Sequence, residues 1–252
     1  VRSLSLDDVR SYYHDGFRPD LATIVVIGNI TPQQAQTTIG KYFGSWSAAG
    51  PMPQIDLPAV PSNGAAQIAV PDDSRVQDQV VLAQNLDLTR SNPDYYALSL
   101  GSAVLGGGFY STRFSIDLRK DAGLVYSVDS ELQVGRSRGV YLVNYACDPQ
   151  NVAKAQDIVV RDLKAMQAQP VADEELLRVK ALLLRRIPLS EASIDDIALG
   201  FIHRRDLNLP LDEPILAARR YIALEPLEVQ TAFRKWLRPD DLVRVTQGPA
   251  PK

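Results

Sequence analysis

Hydrophobic positions recur with two periods along this chain, and they predict a succession of strands and helices. Alternation and short apolar runs predict strands near 66–70, 78–87, 125–134, 139–146 and 241–247. Helical periodicity, with capping and stop signals, predicts helices at 5–15, 31–43, 93–105, 110–120, 173–188, 213–223 and 226–236, and further helices that start near Pro149 and Ser193. Strands with hairpin-like spacing followed by helices favour an α+β fold, in which helices cover an antiparallel sheet.

The head of the chain repeats near its tail at an offset of 220 positions. Asp8-Val9 and Phe17-Arg18-Pro19-Asp20 correspond to Glu228-Val229 and Leu237-Arg238-Pro239-Asp240. Each copy predicts a helix that ends at an Arg-Pro-Asp corner, where proline cannot continue it, and then a short strand and a glycine turn. In the first copy that strand is 21–28, LATIVVIG. A repeat of this period indicates duplicated domains.

This repeat predicts the domain organisation. About 150 residues of globular pattern come before the second copy, whereas only a few residues come before the first. We therefore expect residues 1–46 to be the C-terminal remnant of a preceding homologous domain, and residues 65–252 to be its complete sister. Residues 47–64 contain four prolines and are interpreted as the linker. The architecture expected is a duplication whose first copy is truncated.

Composition narrows the function only by exclusion. The 252 residues are 45% hydrophobic and 23% charged, which is enough for a buried core. A net charge of -3 without long runs of like charge argues against a nucleic-acid partner. No stretch approaches the roughly 18 apolar residues of a membrane span.

The sequence alone does not contain a self-sufficient catalytic centre. His14 and His203 are isolated at predicted helix ends, so the spacing of a zinc site is not met, and we interpret both as surface or capping residues. Cys147 is the only cysteine and is interpreted as a small core residue. A serine nucleophile elbow, G-x-S-x-G, is absent as well. We therefore expect no metal ligands in this chain.

Gly106, Gly107 and Gly108 form a run that invites comparison with a phosphate-binding loop. The comparison fails, because no Lys-Ser/Thr pair follows and the run ends a predicted helix instead of joining a strand to one. The pattern favours a helix terminus and hinge. A glycine backbone can nevertheless approach a bound peptide closely, so the three glycines are candidate substrate-binding residues.

Two motifs carry a resemblance to a known family. The order L-G-G-G-x-x-S-T-R-F starts at Leu105, and L-R-x-x-x-G-L-x-Y-S starts at Leu118. Together they resemble the second-domain signature of the pitrilysin/insulinase (inverzincin) zinc peptidases, that is, the C-terminal peptidase M16 domain that does not bind zinc. Residues 1–46 resemble the end of the preceding domain, so the similarity spans nearly the whole chain. It implies an α/β roll of the LuxS/mitochondrial-processing-peptidase-like metallohydrolase type.

The resemblance also implies a site. In the family, one domain carries an H-x-x-E-H zinc motif and another supplies an Arg and a Tyr, whose spacing Arg119 and Tyr126 match. It implies that these two residues bind the carbonyl of the scissile peptide and support the transition state, since guanidinium and phenol groups are hydrogen-bond donors. Spacing alone also allows a solvated arginine and a tyrosine packed on a strand. The glycine run and the domain repeat favour the functional interpretation.

The chain departs from the family in lacking H-x-x-E-H. The resemblance therefore implies that zinc is held by an upstream domain or a partner subunit, and that no cofactor belongs to this chain. It also implies that an extended peptide substrate adds as a strand to a sheet edge, for which 125–134 is the candidate.

Three hypotheses follow. The first is a substrate-binding, transition-state-supporting C-terminal domain of a zinc metalloendopeptidase, inactive by itself. The second is a non-catalytic interaction or assembly subunit of the same family. The third is an unrelated small-molecule-binding domain that uses the glycine run. Export of similar full-length proteins favours the periplasm, with the cytoplasm as the alternative.

Overall fold

The computed structural model describes residues 3–107 and 110–249, which fall into two compact units. The first unit comprises residues up to 57 together with 190–203, and the second comprises 58–189 and 204 onwards. Ten helices and strands of the second unit, with the cluster of buried side chains between them, define the α+β fold. The α+β prediction is therefore confirmed.

Two exposed helices belong to the first unit. Helix α1 (Leu6–Gly16) begins at a capping box, in which Ser5 and Asp8 exchange hydrogen bonds between side chain and backbone. Helix α2 (Pro32–Phe43) begins in the same way at Thr31 and Gln34. Neither helix has a buried residue. Both predicted helices are confirmed, but their apolar side chains are not covered within the described residues.

The strand predicted at 21–28 is wrong. These residues form no strand with any described residue, and Ile24 and Val26 are 47% and 46% exposed. A strand needs a neighbour to satisfy its backbone N–H and C=O groups, and an apolar run alone cannot supply one. The helical part of the repeat is nevertheless present, since α1 and α8 (Pro226–Trp236) differ by 220 positions at both ends.

A five-stranded sheet organises the second unit. The strands are β1 (Ala66–Pro71), β2 (Asp78–Leu86), β3 (Val125–Val134), β4 (Gly139–Cys147) and β5 (Val243–Gly248). Their order in the sheet is β1-β5-β2-β4-β3, and every pair is antiparallel except β1 with β5. Among the described residues, β3 pairs only with β4 and therefore lies at an edge. The five predicted strands are confirmed, with one parallel pair added.

Helices cover one face of this sheet. They are α3 (Asp94–Gly106), α4 (Val152–Ala168), α5 (Asp173–Leu189), α7 (Glu213–Ala223) and α8, and the chain between α5 and α7 forms α6 (Ile194–Asp206), which begins in the first unit and ends in the second. Alternate residues of β2 and β4 are buried, as the period of two predicts. The core includes Leu82, Tyr141, Val143 and Phe233, each no more than 1% exposed. Residues 47–65 form neither helix nor strand, and the division into domains at 47–64 stays a prediction.

Candidate functional site

Arg119 lies on a short π-helix, Ser115–Asp121, in place of the longer helix predicted at 110–120. Phe114 and Leu118 are fully buried and fix this helix to the core. The Leu124 N–H donates to the Leu118 carbonyl at 2.8 Å, and Gly123 makes the turn between them with a φ of +64°, which favours glycine. The half-buried Arg119 is thereby carried on a helix that is anchored in the core. Single π-turns occur frequently at functional sites.

Tyr126 lies in a β-bulge at the start of edge strand β3. Val125 pairs with Cys147 and Val128 pairs with Tyr145, so β3 has one more residue than β4 over this interval. A bulge bends its strand and redirects the side chains within it. Val125 and Val128 are buried, whereas Tyr126 is 79% exposed. The interpretation of Tyr126 as a packed strand residue is therefore wrong.

Arg119 and Tyr126 lie beside each other, and Tyr110 joins them. The Cζ atom of Arg119 lies 5.2 Å from the ring centroid of Tyr126 and 4.2 Å from that of Tyr110. Both distances are within the range of cation–π attraction. Sequence reasoning missed Tyr110, and the only available signal was that it is the second of two aromatic residues that follow the glycine run. Whether Arg119 and Tyr126 act in catalysis stays a prediction.

The glycines of the run lie at the end of α3. A Cβ atom on Gly106 would stand 2.6 Å from the backbone nitrogen of Ser130 on β3, so only glycine fits without displacement. Gly107 follows the helix, and its N–H donates to the Ala103 carbonyl at 3.1 Å. The predicted helix terminus is thus present. Gly108 lies outside the described residues, and the role of the run in substrate binding stays a prediction.

Arg113, which belongs to the first motif, ties this region to α5. Its guanidinium donates to both carboxylate oxygens of Glu175, at 2.9 and 2.7 Å, and this charge-assisted pair lowers the pKa of Glu175. Beside the pair lies a cleft of about 360 Å³ between α3, residues 111–112 and α5. Its lining includes neither Arg119 nor Tyr126. Arg113 of the first motif therefore has a structural role, which is to pair with Glu175 on α5.

A second charged cluster fixes the π-helix to α4. The Arg161 guanidinium donates to Asp117 on the π-helix and, at 2.7 Å, to Asp162. Asp162 is 4% exposed, and its Oδ2 atom has no hydrogen-bond partner among the described residues. Burial raises the pKa of Asp162 to about 6, because Arg161 only partly offsets the loss of hydration and Asp117 adds a second negative charge.

The raised pKa predicts a pH-dependent stability. A carboxyl whose pKa is higher in the folded state binds more protons when folded, so the free energy of unfolding falls as pH rises from about 4 to 6. Asp162→Asn lacks this titration. The free energies of unfolding of the variant and the wild type are compared by chemical denaturation at pH 4 and pH 7. Between these two pH values, the difference between them should shift in favour of the variant by about 1–3 kcal/mol. Asp157→Asn removes an exposed carboxylate of α4 and controls for net charge. A pH-independent difference between Asp162→Asn and wild type would contradict the expectation.

Zinc ligation by this chain is not supported by its side chains. Among the described residues, no group of three His, Cys, Asp or Glu side chains is placed to hold a metal ion. Burial raises the pKa of the Cys147 thiol to about 11, which disfavours the thiolate that a metal needs. No helix in the described part combines the length and hydrophobicity required to cross a membrane.

The family is decided by a match to the peptidase M16 inactive domain over residues 3–183. The chain belongs to this family. Among curated proteins, it is 22% identical over 192 residues to the probable inactive metalloprotease YmfF of Bacillus subtilis, and 25% identical over 191 residues to the uncharacterized zinc protease YmxG of the same organism. The matches cover 74% and 75% of this chain but only 43% and 45% of those proteins, so the chain spans less than half of the relatives that it matches.

Solved structures agree with the family and the fold. The peptidase M16 inactive domain from Pseudomonas fluorescens superposes with a TM-score of 0.80 at 26% identity, covering 99% of this chain and 59% of that chain. The periplasmic protease PqqL from Escherichia coli gives a TM-score of 0.70 at 18% identity, covering 88% of this chain and 24% of that one. The predicted relationship to the M16 peptidases is therefore confirmed.

Proposed function

We propose that this chain is the substrate-binding, transition-state-supporting C-terminal part of a zinc metalloendopeptidase. It is inactive without an H-x-x-E-H domain, which is supplied either upstream or by a partner chain. The observation that carries the proposal is the half-buried Arg119, which lies within 5.2 Å of the exposed ring of Tyr126 at the bulged start of an edge strand. These groups stand where a peptide added to β3 would pass.

The two side chains suit the chemistry of peptide hydrolysis. As a peptide carbonyl is attacked, its oxygen gains negative charge, and donors fixed in advance stabilise that charge. Arg119 offers a planar array of N–H donors and Tyr126 offers one hydroxyl. Among the described residues, no carboxylate pairs with Arg119, so its donors are not already neutralised. Binding and orientation of the carbonyl are the roles that we assign to this pair.

The substrate proposed is an extended peptide. Strand β3 is 10 residues long and, within the described part of the sheet, hydrogen-bonds to β4 alone. An edge strand presents unpaired backbone groups to which a peptide can add as a further strand. The compartment proposed is the periplasm, since the similar protein PqqL is a periplasmic protease, and cell fractionation tests this proposal.

We expect the isolated chain to bind such a peptide without cleaving it. A fluorescent 10-residue peptide, matched to the length of β3, should bind in an anisotropy titration, whereas the same peptide N-methylated at alternate residues should not, because it cannot donate the strand hydrogen bonds. After dialysis, metal analysis should find no stoichiometric zinc. Equal affinity for both peptides would contradict edge addition, and tight zinc with hydrolysis would overturn the assignment.

A non-catalytic assembly subunit is the second candidate. The observation in its favour is that one relative, YmfF, is named a probable inactive metalloprotease. The arrangement of Arg119 and Tyr126 argues for the first candidate, because a purely structural subunit does not need two exposed aromatic rings around an arginine.

A further inference from the structure

Tyr110 is an exposed aromatic residue with no place in the core. Its side chain is 76% exposed, and its ring is closer to the Arg119 guanidinium than the ring of Tyr126 is, at 4.2 Å against 5.2 Å. Leaving an aromatic ring in water forfeits the stabilisation that burial would give. The contact with Arg119 is therefore the interaction that accounts for its position.

The manner of this contact matters for the donors of Arg119. A ring attracts a guanidinium through the flat face of the cation, whereas the N–H groups point outward in the plane. A carboxylate would hold the same side chain by occupying those N–H groups. Among the described residues, the contacts recorded for the guanidinium are with the rings of Tyr110 and Tyr126. Within the described part of the chain, the arginine is thus held by rings and not by a carboxylate that would occupy its donors.

We propose that Tyr110 is a positioning residue, which holds the guanidinium of Arg119 by its face so that the N–H donors remain available to a peptide carbonyl. The inference rests on the proposed function, in which Arg119 binds that carbonyl. Tyr110 acts through Arg119 and not through its own hydroxyl. An aromatic ring at position 110 is consequently what matters, and the phenol oxygen is dispensable.

The stack of the Tyr110 ring on the Arg119 guanidinium is tested in the chain itself, without a ligand. Ring currents of Tyr110 should shift the NMR signals of the Arg119 Nε–Hε and Cδ groups. Tyr110→Phe should retain the shifts and Tyr110→Leu should abolish them. Tyr42→Leu is the matched control, because Tyr42 is a similarly exposed tyrosine that contacts a different cation, Lys41, at 5.3 Å. Unchanged Arg119 signals in Tyr110→Leu would overturn the proposal.

The consequence for binding is tested with the fluorescent 10-residue peptide. Tyr110→Leu should weaken binding about two- to fivefold, on the scale of an exposed cation–π contact, and Tyr110→Phe should bind as the wild type does. In the background of Arg119→Ala, Tyr110→Leu should cause no further loss. A Phe variant as weak as the Leu variant, or additive losses, would show that Tyr110 contacts the peptide directly and would overturn the positioning role. If the wild type binds no peptide, the proposed function fails, whereas the NMR shifts still decide whether the stack exists.

Discussion

Arg119→Ala and Tyr126→Phe are each expected to lower kcat about 100-fold in the enzyme assembled with its zinc-binding domain. This is the scale of losing one donor to a developing oxyanion. Zinc content and the thermal midpoint of unfolding should stay unchanged, because Tyr126 is 79% exposed and Arg119 has no ion pair among the described residues. Arg119→Lys should recover only part of the activity, since an ammonium group lacks the planar donors. Single-turnover kinetics measure the chemical step directly.

Matched controls separate this effect from general damage. Arg186→Ala removes an exposed arginine of α5, and Tyr12→Phe removes the hydroxyl of a tyrosine that is 75% exposed on α1. Both control variants should have the kcat of the wild type in the assembled enzyme. Wild-type turnover in all three site variants, with zinc occupancy unchanged, would reduce Arg119 and Tyr126 to ordinary surface residues. The assembly-subunit hypothesis would then be favoured.

Local signals predicted the second unit well because its sequence patterns and tertiary contacts agree. The bounds of β3 (Val125–Val134), α7 and α8 are those predicted, and the alternation in β2 corresponds to its buried face. In the first unit, too, capping residues placed helix starts closely, as at Ser193, whose side chain accepts from the Asp196 N–H at 3.0 Å. These elements needed no information beyond their own residues and an apolar face to bury.

The wrong prediction at 21–28 shows the limit of local signals. An apolar run states that burial is favourable but does not supply the neighbour that buries it. In the second copy, β5 lies between β1 and β2, and the described residues give 21–28 no such neighbours. The repeat predicted the helix and the Arg-Pro-Asp corner, where Arg18 donates to the Asp20 carboxylate at 2.7 Å. Pairing between strands was the information missing.

The candidate site was predicted only in part. Motif spacing placed Arg119 and Tyr126 together, but neither the π-helix nor the bulge has a sequence signature that could have been read in advance. Tyr110 was missed because its contact with Arg119 is a tertiary contact, which no local pattern predicts. The cluster of Asp117, Arg161 and Asp162 was missed for a similar reason, as 44 positions separate Asp117 from Arg161.

Gly106→Ala is expected to lower the free energy of unfolding of the second unit by about 1–3 kcal/mol, the usual cost of overpacking. Two effects compete. Alanine favours a helix over glycine by about 1 kcal/mol. The added Cβ would, however, stand 2.6 Å from the Ser130 nitrogen and 3.1 Å from the Asp129 carbonyl carbon, which are backbone atoms of β3 and cannot rotate away. The cost of the clash should therefore exceed the gain in helix propensity. Denaturant unfolding monitored by circular dichroism measures the resulting loss in the free energy of unfolding.

Gly40→Ala provides the matched control, because Gly40 is also helical, on α2, and nothing lies within 4 Å of its added Cβ. That substitution should be neutral or stabilising. The clash at Gly106 should also disturb the site of Arg119 and Tyr126. Next to the glycine, a hydrogen bond from Ser130 Oγ to the Ser102 carbonyl at 2.7 Å holds α3 to β3, and β3 carries Tyr126. We therefore expect Gly106→Ala to weaken peptide binding even where the protein remains folded. Full stability with lost binding would instead mean that Gly106 contacts the peptide directly, whereas unchanged stability and binding would contradict both roles.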